Sequence, residues 1–242
     1  MPKLLVVESS VIVRGAFKKL LDDEESFDYE IVGTYAEAEK CLANDSFEYA
    51  VVERKLSDSP DGEIIALLNK NDIAPLVFTE EIDEMFFDSF ESAQIVDYIV
   101  KQKYNNISNV VGKLKQLQEN KSITILVVTP SHTYKKYLEQ NLKLNSFKVL
   151  TASNSAEALQ KVEQHPEISL MILDDTVAQS TSLELMKNIR IYKSFDDFNI
   201  IVLADESNSY ATSKFLNAGA NDYIIKPFSR NELYIRVYQN IK

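Results

Sequence analysis

One pattern limits what this 242-residue chain can fold into more than any other: five short apolar runs, spaced in one way, and then five more spaced the same way. KLLVVE (3–8), YEIVG (29–33), YAVVE (49–53), APLVFT (74–79) and IVDYIV (95–100) are rich in Val and Ile and almost continuous in apolarity, as strands covered on both faces are. The series restarts with TILVVT (124–129), FKVLT (147–151), LMILD (170–174), NIIVLA (199–204) and DYIIK (222–226). Glu8 to Glu53 and Thr129 to Asp174 both span 45 residues, while Thr79 to Lys101 and Ala204 to Lys226 both span 22. Two such matches indicate duplication. Each half, 1–120 and 121–242, is of a common domain size.

Between the runs lie helical segments, three of which open with capping boxes: Thr34-Tyr-Ala-Glu37, Asn154-Ser-Ala-Glu157 and Ser229-Arg-Asn-Glu232. NISNVVGKLKQLQ places Ile107, Val110, Val111, Leu114 and Leu117 at helical spacing and reaches the boundary ENKS (119–122) without a floppy linker. Strand–helix alternation with right-handed crossovers makes an α/β fold, two tandem (βα)5 doubly wound parallel sheets. In such sheets, sites form outside the carboxyl ends of the strands. MILDD (171–175) ends at that edge, and buried carboxylates are costly unless paired. Either the strand surfaces there or the acid is placed for chemistry.

Composition removes several classes. Net charge is −11 and the basic residues are scattered, so the basic stripe that supplies a nucleic-acid binder's affinity is missing. Cys41 is the only cysteine, which rules out an intrachain disulfide and fits a reducing compartment. It reads as a small apolar helix residue rather than a reactive thiol. The N-terminal MPKLLVVESS is too short for a signal-peptide core or a bilayer span, so a cytoplasmic protein without membrane attachment is expected. His132 and His165 have no partners at metal-ligand spacing and are expected at the surface, as is the acidic run DDEES (22–26). In FFDSF (86–90), the adjacent Phe86 and Phe87 cannot both face one core from a helix, which leaves core packing or a partner surface open. VVESSVIVRG and VVTPSHTYKK lack a glycine-rich phosphate loop, which disfavours a Rossmann-type nucleotide enzyme.

GANDYIIKPF (219–228), LMILDD with Ser182 eight residues past Asp174, and SDSPDGEI with IVDYIVKQ in the first half carry a resemblance. Both halves resemble receiver domains of two-component response regulators, which are CheY-like and flavodoxin-like in fold with strand order 2-1-3-4-5. The resemblance implies an acidic pair and an acceptor aspartate that hold Mg2+, a lysine that pairs with the phosphoryl group, a hydroxyl that hydrogen-bonds it, and a switch aromatic. The second half matches with Asp174 as phosphoacceptor, Lys226 followed by Pro227, and Tyr223 as aromatic, but has Thr129-Pro130 for the acidic pair and Ala204 for the hydroxyl. The first half matches with Thr79, Lys101 and Tyr98, but has Glu8-Ser9 for the acidic pair and Glu53 at the acceptor position. The commonest spacing back from Asp61-Gly62 lands on Arg54 instead, whereas the 45-residue interval favours Glu53.

Both sites are therefore degenerate, and Glu8, Glu53 and Asp174 make only weak, incomplete Mg2+ sites. Glu53 opposite Lys101 reads either as a partial mimic of the phosphorylated state or as a plain loss of phosphorylation. The resemblance implies a regulatory, non-enzymatic module with a histidine kinase or phosphotransfer protein as partner. It would act on an output domain or partner protein through the fourth and fifth helices of each half. The whole also resembles the N-terminal part of receiver–receiver–diguanylate cyclase regulators, linked to cyclic di-GMP. The chain ends straight after its last helical segment, IRVYQNIK, where an output domain would follow. A homodimer is among the assemblies such modules form. The alternatives are a phosphorelay receiver phosphorylated on Asp174 and a freestanding protein–protein adaptor.

Overall fold

The computed structural model describes all residues except 81–93, 102–105, 178, 196, 206–208 and 242. The segment carrying Phe86 and Phe87 lies outside the described residues. The chain divides into two compact units, Met1–Gln116 and Leu117–Lys242.

In the first unit β1 (Lys3–Val7), β2 (Asp28–Val32), β3 (Tyr49–Val52), β4 (Pro75–Thr79) and β5 (Asp97–Val100) form one parallel sheet, ordered β2-β1-β3-β4-β5. In the second unit β6 (Thr124–Val128), β7 (Lys148–Ala152), β8 (Ile168–Asp174), β9 (Asn199–Asp205) and β10 (Asp222–Lys226) repeat that order as β7-β6-β8-β9-β10, again all parallel. These are the two doubly wound parallel sheets expected from the alternation, in the flavodoxin-like order that the resemblance implies. In both, the order reverses at the first strand, so the carboxyl ends of strands one and three frame the crevice.

Strand alternation sorts the second unit's core onto two faces. Leu126, Val128, Met171, Leu173, Ile200 and Val202 share one cluster with Leu185, Met186 and Phe198. Ile125, Val127, Leu170, Ile172, Ile201 and Leu203 share the other with Leu138, Leu142, Leu233 and Val237. Every central strand is thus buried on both sides, which is why these runs lack a polar face in the sequence.

The helix starts obey local chemistry. Thr34 Oγ1 accepts from Glu37 N–H at 3.2 Å and Asn154 Oδ1 from Glu157 N–H at 2.9 Å. The reciprocal carboxylates reach one residue further back than a standard box, accepting from Gly33 N–H at 2.7 Å and Ser153 N–H at 2.8 Å. Ser229 Oγ accepts from Glu232 N–H at 3.2 Å. We expect Thr34→Ala to cost the first unit about 1 kcal/mol, read as a lowered urea midpoint with unchanged slope.

In the helix Asn106–Asn120, Val110, Val111, Leu114 and Leu117 are buried, as the spacing predicts, while Ile107 is only half-buried. Its last residue is held within the second unit: Asn120 Nδ2 donates to the Asn145 carbonyl at 2.8 Å and to the Tyr238 hydroxyl at 3.0 Å, and that hydroxyl donates to Asn145 Oδ1 at 2.9 Å. His132 is exposed, and His165 lies 3.0 Å from Glu167 Oε1 at the surface. Cys41 is half-buried, and burial pushes its thiol pKa up, away from reactivity.

Candidate functional site

Each unit gathers its polar residues where β-strands one, three and five end. In the first unit the last turn of β1 leads into Glu8, β3 into Glu53 and β5 into Lys101. The Lys101 ammonium stands between the two acids, 2.9 Å from Glu8 Oε2 and 2.6 Å from Glu53 Oε1. Glu8 is 1% exposed. Its Oε1 accepts from Ser10 N–H at 3.0 Å, and Glu53 Oε2 accepts from Ser9 N–H at 3.1 Å and from the Ser9 hydroxyl. Phe78 lies beneath the cation, its ring centre 5.4 Å from Lys101 Nζ.

These surroundings split the two glutamates. Burial pushes the Glu8 carboxyl above the usual range, against the opposing pull of Lys101 and the Ser10 amide. Burial also acts on Glu53, but Lys101 and Ser9 together outweigh it and hold its carboxyl below the usual range. The Arg54 stem lies against Gly62, where an added Cβ would stand 3.3 Å from Arg54 Cγ. It is Glu53 that faces the lysine. Gly62 has φ of 86°, in the left-handed region glycine tolerates, and opens the helix Glu63–Lys70. Thr79, at the end of β4, is buried beside this edge, and Tyr98 is half-buried against the core.

In the second unit Asp174 ends β8 with 1% exposure and every oxygen engaged. Oδ1 lies 2.9 Å from Lys226 Nζ and accepts from the Thr176 amide at 3.0 Å and hydroxyl at 2.7 Å. Oδ2 accepts from the Thr129 hydroxyl at 2.7 Å. Thr129 in turn accepts from Ser131 N–H at 3.2 Å, so the residue 45 positions upstream is wedged between the helix start and the acid. Burial would raise the Asp174 carboxyl, but Lys226, Thr176 and Thr129 bring it below the usual range. Burial would lower the Lys226 ammonium, and the surrounding aspartates overcome it and raise it. The Lys226–Pro227 peptide is cis. Ser182, eight residues past Asp174, is fully buried and donates to the Val177 carbonyl at 2.6 Å, supporting the turn rather than the site.

Two acids and a hydroxyl join this site that sequence reasoning left aside. Strand alternation should send Asp175 to the face opposite Asp174, but the strand ends at Asp174 and the chain turns. Asp175 Oδ1 comes within 3.5 Å of Lys226 Nζ. Asp205, one residue past Ala204, also reaches 3.5 Å from that nitrogen, while its own amide donates to Asp175 Oδ2 at 3.4 Å. Burial, then the charges of Asp205 and Asp174, push the Asp175 carboxyl above the usual range against the pull of Lys226. The signals were present as single letters: an acid after an apolar strand (NIIVLAD) and a hydroxyl two residues past the acceptor (DDT). Ala204 is fully buried and brings no hydroxyl, and Tyr223 is half-buried against the core.

The donor sets do not fit Mg2+. A hard cation needs several convergent oxygens. Among the described residues no three His, Cys, Asp or Glu side chains are grouped to hold one. In the first unit an ammonium fills the space between Glu8 and Glu53, and in the second Asp174 is spent on Lys226 and two threonines. Among the described residues no helix is long and apolar enough to cross a membrane.

Known proteins share this fold. The family model for the response regulator receiver domain matches residues 114–238, more than half of the chain. The chemotaxis protein CheY homolog of Campylobacter jejuni is 31% identical over 106 residues, 43% of this chain and 82% of that protein. The alkaline phosphatase synthesis transcriptional regulatory protein PhoP of Bacillus subtilis is 34% identical over 114 residues, 47% of this chain and 46% of that protein. Across both units the chain resembles a solved two-component system response regulator/GGDEF domain protein with a TM-score of 0.84 and 27% identity, covering 99% of this chain and 98% of that one. Receiver domains commonly bind Mg2+ at the phosphorylation site. Two parallel sheets in this strand order, with a lysine meeting a carboxylate at each switch point, make the chain a tandem pair of receiver domains belonging to the response regulator receiver family.

Proposed function

We propose that residues 1–120 and 121–242 form a cytoplasmic, non-enzymatic regulatory module of a two-component system in which both receivers are held in a fixed charge state by their own side chains. The observation that carries this reading is that each acceptor position is already neutralised. Glu53 is bound by Lys101 and Ser9, and Asp174 by Lys226, Thr129 and Thr176. An incoming phosphoryl group at Asp174 would have to displace the Thr129 hydroxyl from Oδ2, and it would enter a site where Asp175 and Asp205 already face the one lysine. In the first unit a glutamate carries one charge where a phosphoaspartate carries nearly two, and Lys101 takes up that charge. Control then passes through surfaces, to an output domain of the GGDEF kind that the similar solved protein's name carries, and so to cyclic di-GMP. Histidine kinases or phosphotransfer proteins remain partners by docking.

A second reading has its own support, since Asp174 and Lys226 stand as in a phosphate-accepting receiver. Intact-mass spectrometry after incubation with a small phosphodonor and Mg2+ separates the two. We expect no mass gain under conditions that label an ordinary receiver. A gain of one phosphoryl group that disappears in Asp174→Asn would replace the fixed-state reading with a relay.

A further inference from the structure

We propose that the turn Gly33–Ala36, which follows β2, braces the Glu8–Glu53–Lys101 site from outside it, with Arg14 and Asp58 as its positioning residues. The inference goes beyond the fixed-state reading and stands whichever charge state the site keeps.

Glu8 and Ser9 leave β1 in a turn whose backbone is held by one side chain. Arg14 Nη1 donates to the Glu8 carbonyl at 2.8 Å and to the Ser9 carbonyl at 2.9 Å. A charged donor on two successive carbonyls fixes the turn more firmly than neutral bonds would. That turn aims the Ser9 amide and hydroxyl at Glu53 Oε2. Arg14 thus acts on the acceptor position through Ser9.

The guanidinium has this place because residue 33 is glycine. A Cβ at Gly33 would stand 2.4 Å from Arg14 Nη1 and 3.1 Å from its Cζ. Among the glycines, positive φ falls on Gly62 and Gly219, so the Gly33 backbone is one that alanine adopts. Space for the arginine, not backbone freedom, is what this glycine supplies. The second unit carries the matching pair as Lys135 and Ser153, each placed in its unit as Arg14 and Gly33 are. There the cation donates to the Ser153 hydroxyl at 2.7 Å. A side chain at this position therefore engages the cation at the turn itself.

The same turn is held from its other side. Asp58 accepts from the Tyr35 amide at 2.9 Å and the Ala36 amide at 3.1 Å, two of the N–H groups that a helix start leaves without a helical partner. Those amides hold the Asp58 carboxyl below the usual range, and the helix dipole favours its charge. Asp58 belongs to the loop between Val52 and Glu63, which is longer than its counterpart between Asp174 and Gln179. Within that loop Leu56 is buried and exchanges backbone bonds with Ser59 at 3.1 and 3.2 Å. Ser59 Oγ in turn accepts from the Ile64 amide at 3.1 Å. The turn that carries Glu8 and the loop that follows Glu53 are tied to one short stretch of backbone.

Amide exchange followed by NMR on the full chain tests this. Gly33→Ala should move Tm by less than about 3 °C, because only a flexible arginine tip has to swing aside. It should nonetheless speed exchange of the Ser9 amide by about fivefold or more. Arg14→Met should give the same Ser9 effect, and the double variant no more than Arg14→Met alone, as a shared path requires. Asp58→Ala should speed exchange at Tyr35 and Ala36 and, through the loop, at Leu56 and Ser59. An unchanged Ser9 amide in Gly33→Ala, or effects that add in the double variant, would overturn the role of Arg14. Fast exchange at Tyr35 and Ala36 with Leu56 and Ser59 unmoved would reduce Asp58 to a helix cap and overturn its role. Should Arg14→Met not fold, Gly33→Ala decides through Ser9 alone. A Gly33→Ala chain that does not fold refutes the brace.

Discussion

Lys226→Met is expected to cost the second unit about 3–5 kcal/mol, seen as an early urea transition, because it strands buried carboxylates without their cation. Asp174 and Asp175 are 1% and 4% exposed, and both lie within 3.5 Å of the Lys226 nitrogen. The more exposed Asp205 shares that nitrogen, so one deletion leaves three like charges facing each other. The wild-type groups oppose one another in their pH dependence. Asp174 is held below its ordinary range, so its contribution is present above that range and is lost as pH falls through the depressed value. Asp175 is raised, so its contribution is greatest at low pH and fades as pH climbs through the raised value. Lys226 is raised, so what it adds persists through neutral pH and disappears only in strong base.

Removing the lysine takes away the largest pull holding Asp174 down, and its carboxyl should then rise with that of Asp175. The variant's deficit should therefore shrink as pH is lowered from about 7 to about 5, where protonation relieves the repulsion. Urea midpoints across that window check it. A deficit that stays constant with pH would mean that lost packing of the lysine stem, and not charge, explains the effect.

Phe17→Ala should be as damaging to the first unit, by about 3–5 kcal/mol, through the cavity it opens. Phe17 is 1% exposed on the helix Val11–Glu24, and its ring meets Phe78 edge-on at 5.7 Å and 84°. Phe78 in turn supports Lys101 from below. The loss should thus reach the site. Beyond the lowered midpoint, Phe17→Ala is expected to change the environment of the Lys101 ammonium and the Glu53 carboxylate, visible as NMR shifts at both. If the midpoint falls while those resonances stay put, the aromatic support is structural only and does not position the cation.

Much of the fold is legible in the chain alone, and particular residues show why. The strand runs had to be apolar on both faces because helices cover both, so KLLVVE and TILVVT stand out from any polar background. Thr34, Asn154 and Ser229 announced helix starts because a cap acts over three residues and depends on nothing distant. The 45- and 22-residue intervals survive because they count chain between strands that must pair in register. Glu53 and Lys101 were legible as candidates for the same reason.

What the sequence determined by itself was the order of elements, the duplication, and which strand ends would carry acid and lysine. Only the tertiary structure decided which neighbours share a cation. Arg54 and Glu53 are adjacent in the chain, yet one lies against Gly62 and the other meets Lys101. Asp175 joins Asp174 because the chain leaves the strand between them, and alternation holds only inside a strand. Asp205 and Thr129 reach the same site from strands tens of residues away. Whether a carboxylate at such an edge is open to chemistry or already spoken for depends on three or four donors that are close in space and far apart in the chain, and periodicity carries no record of them.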